Sequence, residues 1–234
     1  MTDENSNSTS KDPTSPPADD DQGPGCMPAL LALIVLSGIA AFVTCGFMTW
    51  LIFQKQDVLA LRSLRGNFVP AVEQSLLEPD EKARSVETLN EFADQLERKQ
   101  HEGWQASGVM QRLGRLPILQ WGQLRRVEAF VDNHPDDFSP TDSIQFDRIR
   151  KGVEMGEITT IDCRYILSPV LQTDGELSDP PLKDVLDPEA VAEVVKRARA
   201  MADRVEVDAE PRNDVSIDVL VQRQVDAGIQ KGGF

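Results

Sequence analysis

The sequence predicts a mainly α protein, in which a single transmembrane helix is followed by a soluble domain built as an irregular helical bundle. Residues 27–53 contain no charged side chain, apolar residues after them recur every three or four positions, and Pro and Gly divide that pattern into short segments. We therefore divide the chain into four parts. These are a disordered acidic tail (1–26), a transmembrane helix (27–53), a juxtamembrane helical hairpin (54–103) and an acidic, mainly helical domain (104–234).

The apolar segment from Met27 to Phe53 is long enough to cross a bilayer. As a helix it would extend about 40 Å, whereas the hydrocarbon core of a membrane is about 30 Å thick. Its Leu, Ile, Val and Phe side chains together favour insertion by about 6 kcal/mol. A cleaved signal peptide begins with basic residues and has a shorter apolar core, so we predict a retained signal anchor.

The tail before this segment carries one lysine and six acidic residues, and almost no apolar side chain. It cannot bury enough apolar surface to offset the entropy of ordering, which predicts disorder. Lys11 precedes the span, whereas Lys55, Arg62 and Arg65 follow it. The positive-inside rule then places the carboxy-terminal domain in the cytoplasm. Cys163 is the one cysteine beyond the span, as is common in reducing compartments.

The periodicity of apolar residues predicts the first helices after the span, and the positions of Pro and Gly predict where they are interrupted. A helix continues to Leu77, and Gly66 and Pro70 predict a kink or a break within it. A second helix is expected from Pro79 to about Gly103. The segment from 104 to 126 predicts a helix, a turn at residues 114–117 and another helix that reaches Val131.

Four more helices are predicted or favoured towards the carboxy terminus. Ser139 and Pro140 are typical of a helix start. Residues 158–171 contain β-branched residues but have no partner strand, so we favour a helix there. After a loop over residues 172–186, Asp187 caps the helix with the most regular apolar face. A last helix is expected from about Asp214 to Ala227.

The stretch from 104 to 126 combines arginines and tryptophans with large aliphatic residues and contains no acidic residue. Two interpretations stay open. The segment either packs as two ordinary core helices, or it lies in a lipid headgroup layer, which suits Arg and Trp above an apolar face. The membrane-surface candidates are Trp104, Arg112, Arg115, Trp121, Arg125 and Arg126.

Small side chains recur every four residues within the span, at Ser37, Ala41, Cys45 and Thr49. Such a stripe lets a second helix approach closely, because small residues bring two backbones into van der Waals contact. The pattern predicts transmembrane packing through these residues and a homodimer.

Few residues in the sequence point to chemistry. It has no nucleophile elbow, no phosphate-binding glycine loop and no paired zinc-ligand motif, so we expect no catalytic residue and no cofactor. Metal candidates are His134, Asp136 and Asp137, which place an imidazole beside two carboxylates. The net charge of −15 argues against a nucleic-acid binder, which needs a basic surface to replace counterions.

Three functional hypotheses follow from the sequence. The first is a membrane-tethered interaction or scaffold module, whose partners are the lipid bilayer and an unknown protein. The second is a membrane-bound enzyme or a metal-binding helical domain that uses His134 and its neighbouring acids. The third is a lipid-surface sensor that acts through residues 104–126.

Overall fold

The computed structural model describes residues 26–54, 56–172, 179–208 and 215–233. The predicted mainly α fold is confirmed, and the described residues contain no β-strand, only an isolated bridge between Leu171 and Leu182. Two compact units are present, one ending at Thr49 and the other starting at Trp50.

Helix α1, Cys26–Gln54, contains the apolar segment. Within it, residues Leu30–Thr49 are long and apolar enough to cross a membrane, and none of them is buried. Its large apolar side chains from Leu30 to Met48 are 56–81% exposed. The helix has no acidic or basic residue in its first or last turn, so no charge marks either end.

The predicted interruption near Gly66 and Pro70 is confirmed as a change of helix type. Helix α2, Gln56–Ser63, runs into a π-helix, Leu64–Phe68, and continues as α3, Val69–Gln74. Pro70 has no N–H to donate, so the regular hydrogen-bond ladder cannot pass through it. Short π segments of this kind often occur at functional sites.

Helix α4, Pro79–Glu97, buries an apolar stripe that includes Leu89, Phe92 and Leu96. It ends before the predicted Gly103, because Lys99 adopts a left-handed backbone with φ of 55°. Helices α5, Gly103–Arg115, and α6, Ile118–Asp132, follow with the predicted turn between them. Glu102 and Gln105 form a capping box at the start of α5.

Helix α7, Pro140–Met155, starts with a capping box of Ser139 and Asp142, and it ends at Gly156, whose φ is 80°. The favoured helix after Ile158 is also present, as α8, Thr160–Leu167, and a 3₁₀ turn, Ser168–Val170. Local capping therefore outweighs the β-branched composition of this segment.

Helix α9, Pro188–Arg204, is capped by the Asp187 carboxylate, which accepts from the Ala190 N–H. Helix α10, Ile217–Lys231, extends beyond the predicted end at Ala227, and its predicted start at Asp214 lies outside the described residues. It packs along α5 and α4. The approach to α5 is close because Gly228 lies against Val109, where a Cβ would overlap the Val109 backbone.

Candidate functional site

Two neighbouring cavities line one side of α6, and together we call them the α6 cleft. The first has a volume of about 300 Å³ and lies between the π-helix, the α5–α6 turn and α8. The second has a volume of about 400 Å³ and lies between α3, α6 and residues 181–184. Ala71, Leu119 and Asp179 line both cavities and form the ridge between them.

The second cavity is polar along α6, where Gln123 and Arg126 lie three residues apart and hence on one face. Gln123 is 7% exposed, and its Nε2 donates to the Pro180 carbonyl over 3.2 Å. That bond fixes the orientation of the amide. The Gln123 Oε1 atom is buried without a hydrogen-bond partner among the described residues. Arg126 is exposed, and no ion pair or hydrogen bond joins its side chain to the described residues.

The first cavity is mainly apolar. Its π-helix wall is Phe68, which packs against the core, and its opposite wall comes from Leu113, Leu116 and Ile118. Thr160 contributes a hydroxyl oxygen, Oγ1, that is buried and unpaired within the described part of the chain. Gln123 and Thr160 thus each line a cavity, and each carries one polar atom that is buried away from solvent and has no partner among the described residues.

The ridge carries three connected polar side chains, of which Gln120 is buried and Arg164 and Asp179 are partly exposed. Gln120, which is 1% exposed, donates from Nε2 to Asp179 Oδ1 over 2.6 Å, and Arg164 donates from Nε to the same oxygen over 3.3 Å. Burial raises the pKa of the Asp179 carboxyl above its ordinary value, although Arg164 and Gln120 partly oppose that shift. The cleft therefore holds a partly buried carboxyl group that is paired with Arg164 and Gln120.

The membrane-surface candidates are distributed over different environments. Trp121 is 1% exposed in the core, and Arg125 makes a bidentate pair with Glu81 at 2.7 and 2.9 Å. Arg112 donates to the carbonyls of Gly232 and Gly233. The other three candidates are exposed, and they are Trp104, Arg115 and Arg126.

The small residues of the transmembrane stripe, Ser37, Ala41, Cys45 and Thr49, are all exposed on α1. The Thr49 hydroxyl donates to the Cys45 carbonyl over 2.8 Å, so its polar group is satisfied within the helix. Gly38 and Gly46 also have open space beside them. Among the described residues, none buries this surface.

The metal candidates lie in the loop after α6. His134 stacks on Phe130 with ring centroids 3.9 Å apart, and its Nδ1 donates to the Phe130 carbonyl over 2.7 Å. Asp136 and Asp137 follow in the turn, and the Asp137 N–H donates to the His134 carbonyl. Among the described residues, no group of three or more His, Cys, Asp and Glu side chains is placed to hold a metal ion.

Cys163 is fully buried, and burial raises the pKa of its thiol far above the ordinary value. A thiol that stays protonated is a poor nucleophile, so the structure gives this residue a packing role.

Comparison of the chain with models of protein families, with curated proteins and with solved structures finds no match. Function is therefore inferred from the side chains described above.

Sequence reasoning missed the α6 cleft. It considered Arg126 as a membrane-surface residue and did not single out Gln120, Gln123 or Asp179. The available signal was the pair of glutamines on the apolar side of α6, since glutamine is mostly exposed in folded proteins.

Proposed function

We propose that the chain is a single-pass membrane protein whose helical domain, within residues 56–233, acts as an interaction module tethered to the bilayer. One observation carries the proposal. The large apolar side chains of α1 are 56–81% exposed, whereas the domain buries its apolar stripes in a core of its own. A helix that is apolar on every side is stable in lipid and unfavourable in water.

Charge at the ends of the span supports a cytoplasmic domain, because Lys55, Arg62 and Arg65 follow α1 and Lys11 precedes it. The exposed stripe of small residues on α1 supports self-association in the membrane. Under this proposal the span sets location and stoichiometry, and the domain contacts a protein partner.

Anchoring and orientation are tested on vesicles that contain the full chain. We expect the protein to remain in the membrane after carbonate extraction, and protease added outside inverted vesicles should digest the domain. Release by carbonate would contradict anchoring, and protection of the domain would reverse the orientation.

The module itself is tested by crosslinking in the native membrane followed by mass spectrometry. The same domain fused to an unrelated transmembrane helix is the matched control. A stoichiometric partner recovered with both chains supports an interaction module. A partner recovered only with the native span would assign the contact to α1 instead.

A further inference from the structure

Two large apolar side chains project from α8. Ile161 and Tyr165 lie one helical turn apart on the same face of this helix, and they are 77% and 56% exposed. The buried residues of α8 are Cys163, Ile166 and Leu167, which pack into the core of the domain. The core therefore takes one side of α8, and the other side presents Ile161 and Tyr165 to solvent.

Three basic side chains of α9 line a cavity beside Tyr165. The cavity has a volume of about 330 Å³, and Glu193 and Met201 also line it. The Arg197 guanidinium lies 4.9 Å from the centre of the Tyr165 ring and donates to the Tyr165 carbonyl over 3.0 Å, which holds the ring in place. We call the two apolar side chains and the three basic ones the α8–α9 patch, which consists of Ile161, Tyr165, Lys196, Arg197 and Arg204.

The charge that reaches solvent on this patch is positive, although the whole chain has a net charge of −15. The side chains of Lys196 and Arg204 are 78% and 60% exposed. Their acidic partners are less exposed, at 39% for Glu193 and 19% for Asp162. Glu193 also pairs with Arg197, so one carboxylate serves two cations. The basic groups therefore outnumber the acids here and extend further into solvent.

Positive charge beside projecting apolar side chains matches an anionic phospholipid surface. Basic side chains bind the phosphates and carboxylates of the headgroups, and apolar side chains enter the boundary between headgroups and acyl chains. Tyr165 suits this boundary, because its ring is apolar and its hydroxyl is polar. The patch thus offers a complementary group to each layer of such a surface.

The small number of apolar side chains favours a lipid surface over a protein partner. A stable protein interface buries about 800 Å² on each partner around an apolar centre. The patch contributes only Ile161 and Tyr165 to such a centre. A weak contact is enough for a lipid surface, because a tethered domain has lipid within reach at a high effective concentration.

We infer that the α8–α9 patch binds anionic phospholipid headgroups, with its three basic side chains on the headgroups and Ile161 and Tyr165 inserted between them. This inference goes beyond the proposed function, since it gives the domain a lipid-binding face of its own, and it rests on that function only for the tether. It assigns a membrane surface to α8 and α9, whereas the sequence pattern pointed to residues 104–126.

The test is sedimentation of the full chain, in phosphatidylcholine nanodiscs, with added sucrose-loaded vesicles. We expect binding to vesicles that contain about 30% phosphatidylserine and little binding to vesicles of phosphatidylcholine alone. Empty nanodiscs report the background. Binding should weaken in about 0.5 M salt, because salt screens the attraction between the basic side chains and the headgroups.

Four variants locate the contact, and all four positions are exposed, so melting temperatures should stay close to that of the native chain. Lys196→Glu should lower the vesicle affinity at least about tenfold, because repulsion replaces attraction. Arg98→Glu makes the same charge change on α4 and should bind nearly as the native chain does. Ile161→Ser should lower the affinity about fivefold, whereas Val185→Ser, at a residue 83% exposed outside the patch, should not. Equal affinities for the native chain and all four variants would overturn the inference.

Hydroxyl-radical footprinting covers the case in which the patch faces the membrane of its own nanodisc. Oxidation of Tyr165 should decrease when the nanodisc contains phosphatidylserine, and oxidation of the exposed Trp104 should stay constant. Protection of Trp104 instead of Tyr165 would move the membrane surface to α5 and contradict the inference.

Two other outcomes also decide against it. Neither vesicle binding nor protection of Tyr165 would leave the patch without a lipid ligand. Binding of an oligoglutamate peptide in the absence of both would assign the patch to an acidic protein segment. Carbonate extraction of the same chain reports anchoring separately, so an anchored chain that fails both lipid tests removes this inference and leaves the proposed function standing.

Discussion

Helix α1 and the domain that follows it use apolar residues in opposite ways. In α1 they cover the whole circumference and are exposed, as Phe42 is at 81%. In the domain they form stripes, and residues such as Leu89, Leu124 and Ile149 are at most 1% exposed. The difference shows that the distribution of apolar residues around a helix, more than their number, decides which solvent the helix requires.

The largest effect is expected when charged residues are placed in α1. Leu36→Arg combined with Ile39→Arg should abolish membrane insertion, because each arginine costs about 2.5–3.5 kcal/mol and together they cancel the gain of the apolar segment. Carbonate extraction measures the loss. The paired control, Leu36→Ala with Ile39→Ala, should remain in the membrane.

The domain should be unaffected by that change, since its apolar stripes are buried in a core of its own. Its melting temperature in detergent should therefore equal that of the native chain. A large decrease would show that α1 is part of the folding unit and that the two regions are less independent than their exposure suggests.

Sequence reasoning recovers local features of this molecule far better than distant contacts. The span is a continuous run of apolar residues, and the helix starts at Ser139 and Asp187 depend on residues three or four positions away. The α6 cleft is different, because Gln123 meets Pro180 across 57 positions. Periodicity indicates which face of a helix is buried, but it does not identify the neighbour that buries it.

A large effect within the domain is expected at the buried ion pair of Arg150 and Glu128. The Arg150 side chain is 6% exposed and binds Glu128 with distances of 2.7 and 2.8 Å, and it also contacts Asp147. Arg150→Ala leaves these acids without their main partner and should cost about 3–5 kcal/mol, measured by urea unfolding.

Arg65→Ala is the matched control for that measurement. Arg65 also pairs with two acids, Asp94 and Glu97, but its side chain is 41% exposed, so water can replace the lost contacts. Its urea midpoint should stay close to that of the native domain. Equal losses for the two variants would mean that burial does not distinguish these clusters.

Close backbone packing predicts a smaller loss at Gly122, on α6. A Cβ at this position would overlap the backbone of Leu76 and Leu77, and a backbone cannot move aside as a flexible side chain can. Gly122→Ala should destabilise the domain by about 1–3 kcal/mol. Gly114→Ala, where the space is open, should be neutral or stabilising by up to about 1 kcal/mol. Thermal unfolding of the two variants tests the difference, and destabilisation by Gly114→Ala would contradict it.

The smallest effect is a pH dependence that belongs to the domain alone, because α1 has no acidic or basic side chain. Burial would raise the pKa of Asp162, but the Thr159 N–H and hydroxyl and the Arg204 guanidinium outweigh it, so the pKa is lowered. Asp162 therefore stabilises the fold fully above the unfolded-state pKa of about 4, and this contribution is lost as the pH falls through the lower, folded-state value.

The pKa shift of Asp179, on the ridge of the α6 cleft, has the opposite sign. Burial raises its folded-state pKa, so the folded domain binds its proton more tightly than the unfolded chain does, and its contribution becomes less favourable as the pH rises from about 4 through the raised value. We expect Asp162→Asn to lose stability mainly at neutral pH, whereas Asp179→Asn should become more stable there relative to the native domain. Urea unfolding at pH 3.5 and pH 7 compares the two variants. If Asp179→Asn is instead destabilised more at pH 7 than at pH 3.5, the ionised Asp179 of the native domain stabilises the fold through its ion pair with Arg164. The native carboxylate would then not be a group that is kept at a cost in stability.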